Sequence, residues 1–115
     1  MKTTVFKDFN FSAAHHLCIP GHKCSNMHGH NYRVRIECSG DVDENGMVVD
    51  FHEIKRRVDP IIEQLDHKCL NDILIHGTTS ENICVWIARQ ANYILGNVTR
   101  VTIYETDTCG AIIEL

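Results

Sequence analysis

The chain has 115 residues, 43% of them hydrophobic and 23% charged, with a formal net charge of −4. That length suits a single domain over residues 1–115 with a modest core, and the composition is ordinary for a folded globular protein. The sequence holds no basic cluster of the kind phosphate-backbone recognition needs, and no apolar run of membrane-spanning length.

Met1 to Asp8 lack the apolar core of a signal peptide, so a cytoplasmic location is expected. Cys18, Cys24, Cys38, Cys69, Cys84 and Cys109 include no Cys-x-x-Cys pair. Without a leader, reduced thiols are expected rather than three disulfides.

Residues 2–13 read as a strand in which Phe9, Phe11 and Ala13 share one parity. Leu17 to Met27 is irregular, with Pro20-Gly21 as its turn signal. Residues 31–39 alternate cleanly: Tyr32, Val34, Ile36 and Cys38 are apolar, while Arg33, Arg35 and Glu37 are polar. That is a half-buried antiparallel strand. Gly40 to Gly46 is an acidic loop, and Met47-Val48-Val49-Asp50 is expected to be a short extended piece. Asp50 is placed to cap a helix from Phe51, whose stripe is Phe51, Ile54, Val58, Ile61 and Leu65. Pro60 should kink or interrupt that helix. A second helix starts near Thr79, capped by Thr78 or Thr79, and stops at Gly96-Asn97. Residues 98–105 alternate again, with Glu105 on the parity of Val101 and Ile103. A turn over Thr106 to Gly110 leads to a last strand, Ala111 to Leu115.

The order is strand, strand, helix, helix, strand, strand. It predicts an α+β domain: a four-stranded antiparallel sheet with both helices on one face. Such a sheet has two long edges and a bare face. Open edges of that length are usually paired, which predicts an oligomer joined edge to edge.

The chemistry centres on Cys24-Ser25-Asn26-Met27-His28-Gly29-His30. On an extended segment, His28 and His30 point to one side, and they share the parity of the apolar set that follows. With His15 they make three nitrogen ligands, leaving a fourth position of a tetrahedral zinc open. His16 can replace His15 in that reading, because adjacent strand residues face opposite ways. Metal-free polar histidines at a strand end are the plain alternative. Cys24 reads as a base or nucleophile, as a fourth ligand closing a structural site, or as an ordinary loop thiol. Asp66-His67 reads either as a base with its orienting carboxylate or as a helix end where histidine meets the dipole. Glu105, a carboxylate on an apolar strand face, needs partners. Paired N–H donors of a 2-aminopyrimidinone ring would supply them, as would a salt bridge.

Several motifs in order carry a resemblance. They are Phe11-Ser12-Ala13-Ala14-His15; Cys24-x-x-x-His28-Gly29-His30-Asn31-Tyr32; Asp50-Phe51; Leu65-Asp66-His67-x-x-Leu70-Asn71-Asp72; Thr79-Ser80-Glu81-Asn82; and Glu105-Thr106. The chain resembles the 6-pyruvoyltetrahydropterin synthase family, most closely its branch of 6-carboxytetrahydropterin synthases in queuosine biosynthesis. The resemblance implies the tunnelling fold, in which three sheets close into a barrel and two barrels stack into a hexamer. It implies zinc on His15, His28 and His30, and Cys24 as the proton-transferring thiol. Asp66 and His67 would reach the pocket from a neighbouring subunit. Glu105 would anchor the pterin ring, with Thr79, Ser80 and Glu81 lining the site. The implied substrate is 7,8-dihydroneopterin triphosphate, cleaved in the carboxy branch to release acetaldehyde and triphosphate.

The four-residue step from Cys24 to His28 resembles the carboxy branch, whereas Tyr104-Glu105-Thr106-Asp107 is more like the pyruvoyl branch. The cysteine spacing carries more weight because it positions a reacting group. The alternatives are triphosphate elimination to the pyruvoyl product, an aldolase acting on dihydroneopterin, and a non-catalytic zinc-binding oligomeric module. Lys23, Arg33 and Lys68 are the candidates for the triphosphate.

Overall fold

Alternation builds the centre of the structure. In the computed structural model, which describes residues 1–115, β1 (Thr3–His15) and β2 (His28–Gly40) form one long antiparallel pair. Their register runs unbroken from Thr3 opposite Gly40 to His15 opposite His28. Phe9, Phe11 and Ala13 on β1 and Tyr32, Val34, Ile36 and Cys38 on β2 are buried on one face. Both strands start or end further out than the apolar alternation alone indicates, so His28 and His30 are strand residues on the covered parity. β3 (Val98–Thr106) pairs with β2, and β4 (Cys109–Glu114) with β3, giving the sheet order β1-β2-β3-β4.

Two helices cover that face. α1 (Phe51–Glu63) lies over β1 and α2 (Ser80–Leu95) over β3 and β4. Asp50 caps α1 by accepting the His52 N–H at 2.8 Å. Thr79, not Thr78, caps α2 through the Asn82 N–H. Gly96, at φ 79°, ends α2 in the left-handed conformation that glycine adopts most easily. Ile54, Val58, Ile61, Ile83, Ile87 and Ala91 fill the space between the layers.

Three expectations are corrected. Pro60 does not interrupt α1, which continues to Glu63. Pro60 and Arg56, whose carbonyl loses its helical partner, both face solvent, so water can take the freed acceptor. Met47 to Asp50 is not a strand: the chain bends at Val48 and Val49, and no neighbouring edge pairs with it. The last turn is tighter than expected: Thr106 pairs directly with Cys109, so Cys109 and Gly110 belong to β4.

The outer edge of β1 is closed at one end. The segment after α1 runs alongside it through His67 N–H to Ser12 O (2.6 Å) and Ala14 N–H to Lys68 O (3.0 Å). A 3-10 turn, Leu70–Asp72, follows. All six cysteines are free, and burial pushes the Cys38 and Cys84 thiols up to about 11. No helix is long and apolar enough to cross a membrane.

A Cβ added at Gly110 would run into the Ile103 carbonyl across the hairpin. Gly110→Ala is therefore expected to cost about 1–3 kcal/mol, the usual range for overpacking. Thermal unfolding reads it as a lower midpoint; an unchanged midpoint would contradict this packing of β4 on β3.

Candidate active site

The register of β1 against β2 brings three imidazoles together. His15 lies opposite His28, and Ala13 opposite His30, so the histidines cluster at one end of the covered face. Ring centroids are 4.6 Å apart for His15 and His28, 4.9 Å for His28 and His30, and 5.3 Å for His15 and His30. One ligand atom from each lies within 4.8 Å of the other two. His16, on the opposite parity, is not in the cluster.

The tautomers of two rings follow from their partners. His15 Nδ1 lies 2.7 Å from Thr78 O, and His28 Nδ1 lies 2.7 Å from Asn26 O. A carbonyl only accepts, so both Nδ1 atoms carry hydrogen, which in a neutral ring leaves the lone pair on Nε2. His15 Nε2 and His30 Nε2 are buried without a hydrogen-bond partner. Burial pushes the His15 imidazolium pKa down, which keeps its ring neutral. Three imidazoles with ligand atoms this close, two of them anchored through Nδ1 on carbonyls, form a group that could hold a metal ion.

The remaining walls come from three other places in the chain. A cavity of about 240 Å³ is lined by His15, His28, Cys24, Leu17, Thr79, Ser80, Glu81 and Glu105. Cys24 sits, half-buried, in a 3-10 turn, Lys23–Ser25, inside the loop between β1 and β2. Thr79, Ser80 and Glu81 are the cap and first turn of α2. Glu105 occupies the irregularity where β3 shifts register against β4, between Tyr104 and Thr106. Bulges of this sort re-aim side chains. Ser80 Oγ donates to Glu105 Oε2 at 2.7 Å. Glu105 Oε1 lies 3.2 Å from His30 Nε2, outside hydrogen-bond geometry.

Asp66 and His67 do form a carboxylate–imidazole pair, with Asp66 Oδ2 2.9 Å from His67 Nδ1. Asp66 Oδ1 also accepts the Ser12 N–H at 2.9 Å. The Ser12 amide, then His67, hold the Asp66 carboxyl below its usual range. Within one chain this pair does not meet Cys24. His67 lines a different, open cleft with Ser12, Asn31 and Lys68, which also reaches His30. Lys23 and Arg33 do not line the cavity either, and Arg33 lies over the Tyr104 ring at 4.2 Å. Thr78 was not foreseen as a partner of His15, because the group that matters is its backbone carbonyl, which leaves no mark in sequence.

The family described as 6-pyruvoyl tetrahydropterin synthase matches residues 4–115. A protein of Archaeoglobus fulgidus, named as a candidate 6-carboxy-5,6,7,8-tetrahydropterin synthase, is 48% identical over 99 residues, covering 85% of this chain and 84% of its own. The 6-carboxy-5,6,7,8-tetrahydropterin synthase of Synechocystis is 37% identical over 115 residues, covering 93% and 89%. The structure of Caenorhabditis elegans 6-pyruvoyl tetrahydropterin synthase superposes with a TM-score of 0.91 at 27% identity, covering 100% of this chain and 96% of that one.

The depressed pKa of His15 has a signed consequence. Its ordinary value is 6.5, and the folded value lies lower. Between the two the unfolded chain binds more protons, so this contribution to stability is complete above about pH 6.5 and lost as pH falls through the folded value. In metal-free protein, His15→Asn is expected to flatten the fall of the unfolding midpoint between about pH 7 and pH 5. Identical slopes in the two proteins would contradict the burial argument.

Proposed function

Because the chain belongs to the 6-pyruvoyl tetrahydropterin synthase family, we propose that it is a zinc-dependent 6-carboxy-5,6,7,8-tetrahydropterin synthase. Its reaction would convert 7,8-dihydroneopterin triphosphate to 6-carboxytetrahydropterin, acetaldehyde and triphosphate, as a lyase of queuosine formation in the cytoplasm. The observation that carries this reading is the gathering of His15, His28, Cys24, Ser80 and Glu105 around one cavity.

Each residue has a role in that reading. His15, His28 and His30 hold zinc, which supplies Lewis-acid polarisation of side-chain hydroxyls of the substrate. Glu105 accepts the paired N–H groups of the pterin ring, and Ser80 turns its carboxylate towards them through the 2.7 Å hydrogen bond. Thr79 and Glu81 line the same wall. Cys24 takes a proton from the substrate side chain and returns it. Asp66 orients His67, which acts as a second acid or base in the cavity of a neighbouring subunit.

An oligomer fits the dimensions. The cavity of about 240 Å³ is smaller than the roughly 300–1,000 Å³ of ordinary small-molecule sites. A neighbouring chain would supply the missing wall and bring in its Asp66 and His67. Edge strands β1 and β4 are the means of joining sheets into a barrel. A hexamer made of two trimers is the assembly proposed.

The second reading is elimination of triphosphate to the pyruvoyl product, favoured by the C. elegans superposition and by Tyr104-Glu105-Thr106-Asp107. The four-residue step from Cys24 to His28 and the 48% identical relative favour the carboxy product. Mass spectrometry of products from zinc-loaded protein and 7,8-dihydroneopterin triphosphate separates the two. A 6-carboxy product with acetaldehyde is expected, and a pyruvoyl product would reverse the choice.

Cys24→Ala is expected to lower turnover by about 10²-fold or more, the usual worth of a positioned acid–base group, with zinc retained. Zinc lost along with activity would instead make Cys24 a structural ligand and favour a non-catalytic zinc module.

A further inference from the structure

β1 ends at His15, where the chain leaves the sheet for a loop that runs to Met27. Strand ends fray unless they are tied down. Here the next residue is held on its backbone from two sides. Asn71 Oδ1 accepts the His16 N–H at 2.9 Å, and Asn71 Nδ2 donates to His16 O at 3.0 Å. One amide side chain thereby occupies both backbone groups of His16, as a neighbouring strand would. Thr78 Oγ1 donates to the same His16 carbonyl at 3.0 Å. Thr78 is 1% exposed, and its own carbonyl accepts from His15 Nδ1 at 2.7 Å.

These bonds converge on one ligand. The two peptides that flank His16 are held by Asn71, the second of them also by the Thr78 hydroxyl, and the His15 ring is held by the Thr78 carbonyl. With backbone and Nδ1 both anchored, the direction of the free Nε2 is set. Neither Asn71 nor Thr78 lines the Cys24 cavity, so neither touches substrate there.

We propose that Asn71 and Thr78 are positioning residues: they clamp the His16 backbone and so hold His15 Nε2 where three nitrogens meet on a metal. This rests on the reading of His15, His28 and His30 as the metal centre. A clamp that only closed the edge of β1 would contribute to stability alone. A positioning clamp also changes the affinity and geometry of the bound metal.

The test uses the full-length chain, with zinc(II) affinity measured by chelator competition and geometry by the ligand-field spectrum of the cobalt(II)-loaded protein. Asn71→Ala and Thr78→Val are expected to lose about 10–100-fold in zinc affinity, the usual effect of removing the groups that orient a metal ligand. The cobalt(II) bands should shift as well. Thr78→Ser keeps the hydroxyl and should restore wild-type affinity and spectrum. Asn71→Asp keeps the acceptor for the His16 N–H, loses the donor, and should fall between; it replaces Asn71→Ala if that variant does not fold. Folded variants with wild-type affinity and spectrum would overturn the proposal, even with a lowered unfolding midpoint. A wild-type chain that binds no zinc would overturn the metal-centre reading itself, which is a separate failure.

Discussion

The pairing of β1 with β2 is the constraint on which the rest depends. Its register is continuous over the full length of both strands. A slip of one residue would move His28 and His30 to the bare face and leave His15 behind. The register is held by what the core demands. Phe11 lies directly opposite Tyr32, with the rings stacked at 4.8 Å, and Phe9 lies opposite Val34. Putting any of these on the open face would cost roughly 1.5–3 kcal/mol per side chain. The histidine cluster is thus aligned by apolar residues several positions away from it, and the same register sets where the Cys24 loop leaves and rejoins the sheet.

The second half of the cavity is brought in by the crossover from β2 to β3. α2 begins at the histidine end of the sheet, so its cap and first turn line the same cavity as His15 and His28. β3 then passes beneath it, and the irregularity at Glu105 turns that carboxylate to Ser80 and His30. The segment between the helices closes the same end of β1 from outside. A strand from another chain therefore finds the β1 edge free from Thr4 to Asn10 but not from Ser12 to His16. The free edge and the histidine cluster lie on separate lengths of one strand.

The fold was legible because periodicity was clean wherever the core is two-sided. The alternation of residues 32–38 and the 3,4 spacing of α1 gave the layers directly. Where the reading failed, the deciding contact was remote or solvent-mediated. Pro60 is tolerated because its turn faces water, a fact about the far side of a helix. Met47 to Val49 has strand composition but no edge to pair with. At the site, His15 was separated from His16 by the parity of a strand longer than its apolar alternation suggested. Thr79, Ser80, Glu81 and Glu105 share the cavity with Cys24, whereas Asp66 and His67 lie apart from it within one chain. The backbone carbonyls of Thr78 and Asn26, which orient two of the imidazoles, were illegible in principle, since every residue has one.

His67 is the non-glycine residue of the chain with positive φ, at 58°. A left-handed backbone costs an ordinary L-residue roughly 1–2 kcal/mol, and glycine relieves most of that. A search for heat tolerance, natural or in the laboratory, would therefore be drawn to glycine at 67. It would gain midpoint there and lose the imidazole that Asp66 holds at 2.9 Å. For the acid–base role proposed for His67, robustness and chemistry pull this position in opposite directions, so variants chosen for stability alone are a poor guide to which residues the proposed reaction can spare.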